Sequence, residues 1–462
     1  MELEQVKKTI QRLWKGHPAR MRRIRKAELY YANEPDILRK RNPLLDQAKA
    51  EEAKKLLRNA DNRVPQPWHA LLVDQKAGYV FGEPPTFDVD DDELNKTIRL
   101  YLGNSYKKIA KNLCVTAANA GVAWLHVWRD KENGFFKYGI VDTKQIIPIY
   151  AKNLEGKLIG LLRVYEDYGD DGELYVIFEF WNAVSCSVYR RKKSDPIDAL
   201  EELEMFETVE IATGEPTGEF QNTFDHEWGA IPFIPFRNNM LAQSDLDRTK
   251  RLIDVYDKVY SGFINDVDDV QEIIFVLTNF GGEDKQEFLD DMRKYKMIKI
   301  DADEDSDPSG VDTLAIDIPI EARKTILDIT REAIFVHGQG VDPQKNIGQN
   351  NSGQALKHMY SLLDLKASMV ETEFEEGFAE LIRFILRYEG KDPDVTIKTN
   401  WTRSGVSNEL ELAQIVNALS HVTSKENIAK ANPLVDNVET ELENLKKDKL
   451  DTSRMEDDYD DE

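Results

Sequence analysis

The strongest constraint on this chain is a single stripe of apolar residues. Leu356, Met359, Leu363, Ala367, Val370, Phe374, Phe378, Leu381 and Ile385 recur by threes and fours, the spacing that lines one face of an α-helix. At 1.5 Å per residue a helix carrying that stripe is a rod of roughly 50 Å, longer than a small domain is wide. Ser244 is placed to cap a second rod running to about Val270, with Ile253, Tyr256, Tyr260, Phe263, Val267 and Val270 in the same rhythm. A third rod follows Pro319 through Ile326, Ile329 and Ile334 and stops at Gly338. A compact enzyme rarely needs such rods. An assembly that must span a distance does.

The linkers between the rods are distinctive. Residues 271–317 hold the apolar run "IIFVL", a Gly-Gly turn, a short helical stretch "KQEFLDDMRKY", a strand "KMIKI" and the acidic loop "DADEDSDPSG". Residues 338–353 read "GQGVDPQKNIGQNNSG", where Gly, Pro, Asn and Gln exclude regular structure. Glycines 338, 340 and 348 are expected to give this loop backbone freedom.

Upstream, residues 1–60 read as helical, with breaks at Pro35 and Pro43. The stretch "WHALLVDQKAGYVFGEPPTF" reads as a short helix with Trp68, Leu71, Leu72 and Tyr79 on helical spacing. Gly78, Gly82, Pro84 and Pro85 are expected to stop it and lead into an extended segment. One further helix is expected from Leu94 to about Ala118. At Gly121 the period changes: "VAWLHVW", "LIGLLRVYE" and "LYVIFEFW" are separated by "DKENG", "KNLEG" and "YGDDGE", the grammar of an antiparallel sheet. This mostly β module spans residues 121–236 and ends in "WGAIPFIPFRNN", where Pro232 and Pro235 admit only an edge or extended backbone. A short strand "VTIKTNW", helices at 407–420 and 424–450, and the acidic tail "EDDYDDE" complete an α+β chain.

Composition narrows the chemistry. No run of about 18 apolar residues occurs, so no membrane-spanning helix is expected, and the N-terminus lacks the apolar core of a signal peptide. Cys114 and Cys186 are the only cysteines among 462 residues, too few for a disulfide framework or a thiolate zinc site, which fits a reducing compartment. The net charge is −24. Residues 1–41 carry twelve Lys/Arg against five Asp/Glu, a net of +7, leaving −31 for the rest. So acidic a body does not suit broad nucleic-acid binding, which needs clustered cations. The basic head (Arg20, Arg22, Arg23, Arg25, Lys26) is either a solvated helix face or a site for an acidic surface or a phosphate.

No catalytic motif stands out. G-x-x-x-x-G-K-[ST], H-E-x-x-H and G-x-S-x-G are all absent from the sequence. Asp301, Asp303, Asp305, Asp307 and Asp312 fall at positions 1, 3, 5, 7 and 12 of a calcium loop. Ser306 stands where that loop needs glycine, Asp312 replaces the bidentate glutamate, and Pro308 stiffens the middle. A solvated acidic loop is the reading kept, with no metal, cofactor or catalytic residue expected.

Four segments carry a resemblance: "WHALLVDQKAGYVFGEPPTF"; "GAIPFIPFRNN" with the following "LDRTKRLIDVYDKVYSGFINDVDDV"; "NNSGQALKHMY"; and "SKENIAKANPLVDNVETELENL". In this order they resemble the portal proteins of tailed bacteriophages, the head-to-tail connectors, in the long-tailed siphophage branch. Gln354 stands where an aliphatic residue is common in that family, and the acidic tail is this chain's own. The resemblance implies a portal-type fold: a wing over 1–240 and 353–400 holding the antiparallel β module, stem helices at 244–270 and 319–337, a small α/β clip insert at 271–317, a channel loop at 338–352 and a helical crown at 401–462.

It further implies a homo-oligomeric ring, twelve subunits in the virion or thirteen when isolated, at one vertex of the capsid, assembled in the host cytoplasm. Double-stranded DNA would pass through the ring, weakly held. The terminase large subunit would dock on the clip, later replaced by head-completion or adaptor proteins, with major capsid and scaffolding proteins around the wing. Under this reading Gln339, Gln344, Lys345, Asn346, Gln349, Asn350 and Asn351 line the channel, and Asp301, Asp303, Asp305 and Asp307 face docking partners. Twelve chains at −24 carry −288, which suits a channel that must not grip phosphate. The competing readings are a metal-dependent enzyme acting on nucleic acid or protein, and a non-portal virion scaffold or adaptor.

Overall fold

The computed structural model describes residues 3–39, 60–209, 216–270, 274–278, 310–314, 319–344 and 353–404, with isolated positions between 423 and 447. The chain forms two compact units: Met1–Tyr31, His69–Arg248 and Phe335–Glu462 in one, Ala32–Trp68 and Thr249–Ile334 in the other.

The chain opens with helices α1 (Leu3–Trp14) and α2 (His17–Tyr31), then α3 (Trp68–Phe81) and the short strand β1 (Thr86–Asp88). Helix α3 runs straight through Gly78, contrary to the expected stop there. Helical glycine costs about 1 kcal/mol, less than is gained by burying Tyr79, Val80 and Phe81. The helix ends at Gly82 instead, where a Cβ would stand 1.9 Å from Ser404 Oγ. The single helix expected over 94–118 is two, α4 (Asp92–Leu102) and α5 (Tyr106–Ala120). Gly103 separates them at φ +62, a left-handed conformation that favours glycine, with its N–H on Arg99 O. Asp91 caps α4 by accepting from the Glu93 and Leu94 amides.

The β module is antiparallel, as its alternation and turns predict, but divides into separate sheets. Strands β2 (Val122–Arg129) and β3 (Phe136–Val141) join a later strand in a three-stranded sheet. Strands β4 (Ile146–Tyr150), β5 (Leu158–Tyr168), β6 (Leu174–Trp181) and β7 (Ser185–Lys192) form the body of a six-stranded one, completed by β8 (Glu201–Glu202) and, after the β9 (Phe206–Val209) and β10 (Pro216–Gln221) hairpin, by β11 (Thr223–Asp225). Strand β12 (Phe233–Arg237) is the edge of the three-stranded sheet, with Pro235 opposite Trp124. An edge is where proline's missing N–H is tolerated.

All three rods form: α6 (Leu246–Val270), α7 (Ile320–Gly338) and α8 (Gly353–Tyr388). Along α8, Leu363, Ala367, Val370, Phe374, Phe378, Leu381 and Ile385 are buried, in one core with Phe81 of α3, Leu113 of α5 and Phe236 of β12. Gly377 lies within α8 where the Phe236 ring passes; a Cβ there would lie 2.7 Å from that ring. The segment after the glycine-proline turn is extended as expected: β1 pairs antiparallel with Lys398–Asn400, the strand read in "VTIKTNW". Arg403 then bonds Asp364, Ser368 and Glu371 of α8. A second core packs α1, through Val6 and Ile10, on Leu162, Val164 and Phe178.

In the other unit, residues 60–67 form an extended strap fixed to α6 by side chains. Asn62 N–H donates to Asn265 Oδ1 (2.6 Å), Val64 N–H to Ser261 Oγ (3.0 Å) and Gln66 N–H to Asp257 Oδ1 (3.1 Å). Trp68 packs edge-on against Tyr256, 5.1 Å between centroids. These bonds satisfy strap amides that no sheet serves, and they explain why residues 32–68 group with 249–334. Strand β13 (Ile274–Thr278) pairs antiparallel with β14 (Gly310–Leu314). Asp312 therefore sits in a strand opposite Val276. Among the described residues no helix is long and apolar enough to cross a membrane.

Candidate functional site: the base of the polar loop

Helix α7 closes with a reciprocal pair of backbone bonds. Gly340 N–H reaches Phe335 O (2.9 Å) and Gln339 N–H reaches Val336 O (3.2 Å), the Schellman pattern, which needs a left-handed residue just past the cap. Gln339 takes that position at φ +54. The flanking glycines answer a different need from the freedom expected of them: neither Gly338 nor Gly340 is left-handed. Each lies against Leu72 of α3, where a Cβ would come within 2.5 Å of the leucine side chain.

The loop base is then pinned from several directions. Gln75 of α3 accepts from Val341 N–H (3.1 Å) and donates to Val341 O (2.8 Å), as a strand partner would. Lys366 of α8 donates to Gly338 O at 2.8 Å in a buried setting. Arg248 donates to Gln339 Oε1 at 3.2 Å, so that carboxamide is engaged at the base. Gln344 N–H is held on Asp342 Oδ1 at 2.9 Å. Of the loop residues singled out by sequence, Gln339 and Gln344 are thus placed, while Lys345, Asn346, Gln349, Asn350 and Asn351 lie outside the described residues. So do Asp301, Asp303, Asp305 and Asp307.

Beneath the loop base lies a buried ionic cluster. Lys76 of α3 is 0% exposed and donates to Asn238 Oδ1 and Asp245 Oδ2, both at 2.7 Å. Lys366 reaches the same Asp245 oxygen at 3.0 Å, and Asn238 Nδ2 donates to Asp245 Oδ1 at 2.8 Å. Burial alone would raise the Asp245 carboxyl; Lys366 and Lys76 outweigh it and hold the group far below the usual carboxylate range. Burial lowers the Lys366 ammonium, with Asp245 opposing the change. Nearby, burial pulls His69 down to about 4 despite its bond to Asn119, so it is neutral at pH 7. Burial also pushes the Cys114 thiol up to about 11, leaving it inert.

Sequence reading passed over Gln75, Lys76, Asp245 and Lys366, although a signal existed. Lys366 is three residues after Leu363 and four before Val370, on the apolar stripe itself, and Lys76 sits beside Ala77 between buried positions.

The buried charges and the anchored loop base hold long helices and their linker in place. The chain belongs to the phage portal protein family: it matches the family described as phage portal protein, SPP1 Gp6-like, over residues 10–455. It is similar to the portal protein of Clostridium phage phiCD119, at 38% identity over 473 residues covering 99% of each chain. The portal protein of Bacillus phage SPP1 is 31% identical over 431 residues, covering 91% of this chain and 82% of that one. Among solved structures, a chain of the virion of the native gene transfer agent particle aligns with TM-score 0.40 at 11% identity, over 79% of this chain and 89% of that one. A chain from the neck of the native particle, computed with C12 symmetry, aligns with TM-score 0.42 at 12% identity, over 79% and 88%.

Proposed function

We propose that this chain is one subunit of a closed ring, twelve in the virion, whose central channel passes double-stranded DNA during packaging and ejection. The observation that carries the reading is the match to portal proteins along essentially the whole chain. Exposed apolar residues on the two rods, among them Val267 on α6 and Ile326 and Ile329 on α7, fit burial against neighbouring copies in a head-to-tail contact that closes by rotation. The rigid base at Gly338–Val341 suits a loop that extends into the channel, with Gln344, Asn346, Gln349, Asn350 and Asn351 as neutral partners for phosphate and Lys345 as the cation. In this reading residues 271–317 form the clip and receive the terminase large subunit, then head-completion proteins, with capsid and scaffolding proteins around the wing.

Negative-stain microscopy of purified protein tests the ring: particles with a central hole support it, and uniform monomers with metal-dependent nuclease activity overturn it in favour of an enzyme. Deleting Gln344–Gly348 tests the loop. Rings should still assemble while DNA packaging or retention falls; normal packaged length and infectivity would refute the loop's role. Replacing Asp303 and Asp305 by Asn should spare the ring and weaken motor docking.

A further inference from the structure

Two surfaces of opposite sign stand unpaired on this chain. The first is basic. Helix α1 buries Val6 and Ile10 against the six-stranded sheet. Lys8 and Arg12, with Lys15 just past the helix end, recur at i, i+4 and i+7 on the side away from that sheet, and all three are exposed. None of them has a carboxylate partner among the described residues, whereas Lys7 beside them pairs with Glu4.

The second surface is acidic. From Ser194 to Phe236 the chain holds eleven Asp/Glu and no Lys or Arg. In that stretch lies the β9–β10 hairpin, which among the described residues pairs with no further strand. Phe220 stands opposite Glu207, so the two share one face of the ribbon with Met205, two residues earlier. That face is open: Met205 is 49% and Phe220 54% exposed. The other face turns Phe206 onto Phe224, with ring centroids 4.5 Å apart. Glu204, Glu207 and Glu219 are exposed and have no cationic partner among the described residues, although Glu201 and Glu227 have theirs in Arg190 and Arg129. A two-stranded hairpin is marginal in water, and large apolar side chains on its outer face gain by being covered.

The six-stranded sheet separates the two surfaces within one chain. Helix α1 packs with Leu162, Val164 and Phe178, whereas Leu203 and Phe206 at the hairpin's base pack with Leu161, Ile177 and Val188. Leu161 and Leu162 are strand neighbours, as are Ile177 and Phe178, and such neighbours point to opposite faces. The complement that each surface lacks is present on a second copy. We propose that the outer face of the β9–β10 hairpin docks on the Lys8–Arg12–Lys15 stripe of a neighbouring copy of this chain. The inference rests on the ring reading and names one contact that would close it. Because the two surfaces differ, the contact is head-to-tail: each copy gives its stripe to one neighbour and its hairpin to the other. Met205 and Phe220 supply the apolar area, and the charges fix register and repel a like-charged approach.

The test uses the full chain. Cys114 and Cys186 are each 1% exposed, so thiols placed on the surface are the ones a maleimide reaches. Arg12→Cys and Glu207→Cys combined in one chain, treated with a short bis-maleimide, should give a ladder of covalent multimers on a denaturing gel. Either variant alone should give no ladder. Charge reversal supplies a second readout. Lys8→Glu, Arg12→Glu and Lys15→Glu together should raise the concentration needed for half-assembly by about tenfold at low salt, and by less at high salt. Glu204→Lys, Glu207→Lys and Glu219→Lys together should do the same, and the two sets combined should recover most of the loss. The stripe reversal combined instead with Glu132→Lys, Asp170→Lys and Glu173→Lys restores the same net charge elsewhere on the exposed surface and should not recover it. Should a reversal variant not fold, the cysteine pair carries the test. Rings in the parent with no ladder, or with cross-links confined to single chains, would overturn this contact and leave the ring standing. A parent that forms no ring by negative-stain microscopy would sink both.

Discussion

Leu72 fills the space that a side chain at Gly338 would need: a Cβ on that glycine would stand 2.5 Å from Leu72 Cδ1. This contact joins the helix of "WHALLVDQKAGYVF" to the end of α7, and with the Gln75–Val341 bonds it fixes where the polar loop leaves the body. Gly338→Ala should therefore destabilise the protein by about 1–3 kcal/mol, the usual cost of overpacking, although alanine is the better helix former. Adding Leu72→Ala should recover part of that loss by making room. Chemical denaturation of the two single variants and the double variant measures the coupling. Strictly additive effects would count against the contact.

Gly377 poses the same competition inside the longest helix. Alanine there gains about 1 kcal/mol of helix propensity, and its Cβ meets the Phe236 ring at 2.7 Å. Phe236 is held between Phe374 and Phe378, with ring centroids at 5.1 and 5.0 Å, so it has little room to yield. The clash should win, with Gly377→Ala less stable by about 1–2 kcal/mol. A variant as stable as the parent in urea would show that the sheet edge gives way.

Asp257 predicts a pH dependence of stability. Burial raises its carboxyl to about 7, with Gln66 N–H opposing the shift and Asp254 adding to it, whereas an unfolded chain titrates near 3.9. The folded state thus holds this proton more tightly. Its contribution is full below about pH 4 and is lost as pH rises to about 7. Asp257→Asn should remove that slope while keeping an acceptor for Gln66. Thermal melts from acid to neutral pH read the difference between the two proteins, since other carboxyls titrate in both. Parallel curves would refute the assignment.

Much of this architecture was legible in the sequence because the residues themselves impose it. The α8 stripe, the Val122–Arg129 strand and the edge position of Pro235 follow from period and from proline's missing N–H. What stayed hidden depends on partners distant in the chain. Gly78 reads as a stop because glycine is a poor helix former, yet buried neighbours on both sides carried the helix through it. Gly103 was the true break in the next helix; it opens the turn cluster Gly103-Asn104-Ser105, a local signal that Gly78, between Ala77 and Tyr79, lacks. Gln75 and Lys76 read as a polar helix face; only Val341, Asn238 and Asp245 give them their roles. Asp257 reads as one more acid on an acidic rod until the strap at 60–67 covers it.

The Lys76–Asp245–Lys366 cluster supports the sharpest ranking of variants. One carboxylate serves two buried ammoniums, with Asp245 Oδ2 at 2.7 Å from Lys76 and 3.0 Å from Lys366. Asp245→Asn leaves two cations in a low-dielectric site without a counterion, and should cost about 3–5 kcal/mol. Lys76→Met removes one ammonium and leaves the carboxylate paired with Lys366, so it should cost less, about 1–3 kcal/mol from the lost bonds to Asn238 and Asp245. Combining the two should be milder than the sum, because Lys366 is then the single charge left to satisfy and it keeps Gly338 O as acceptor. Because the cluster is buried, these differences should change little between low and high salt, unlike those of a surface pair. Denaturation of the three variants at two ionic strengths reads both the ranking and the salt response. An Asp245→Asn protein as stable as the parent would mean that the two ammoniums shed their protons or reach water, and the cluster would not be the lock beneath the loop.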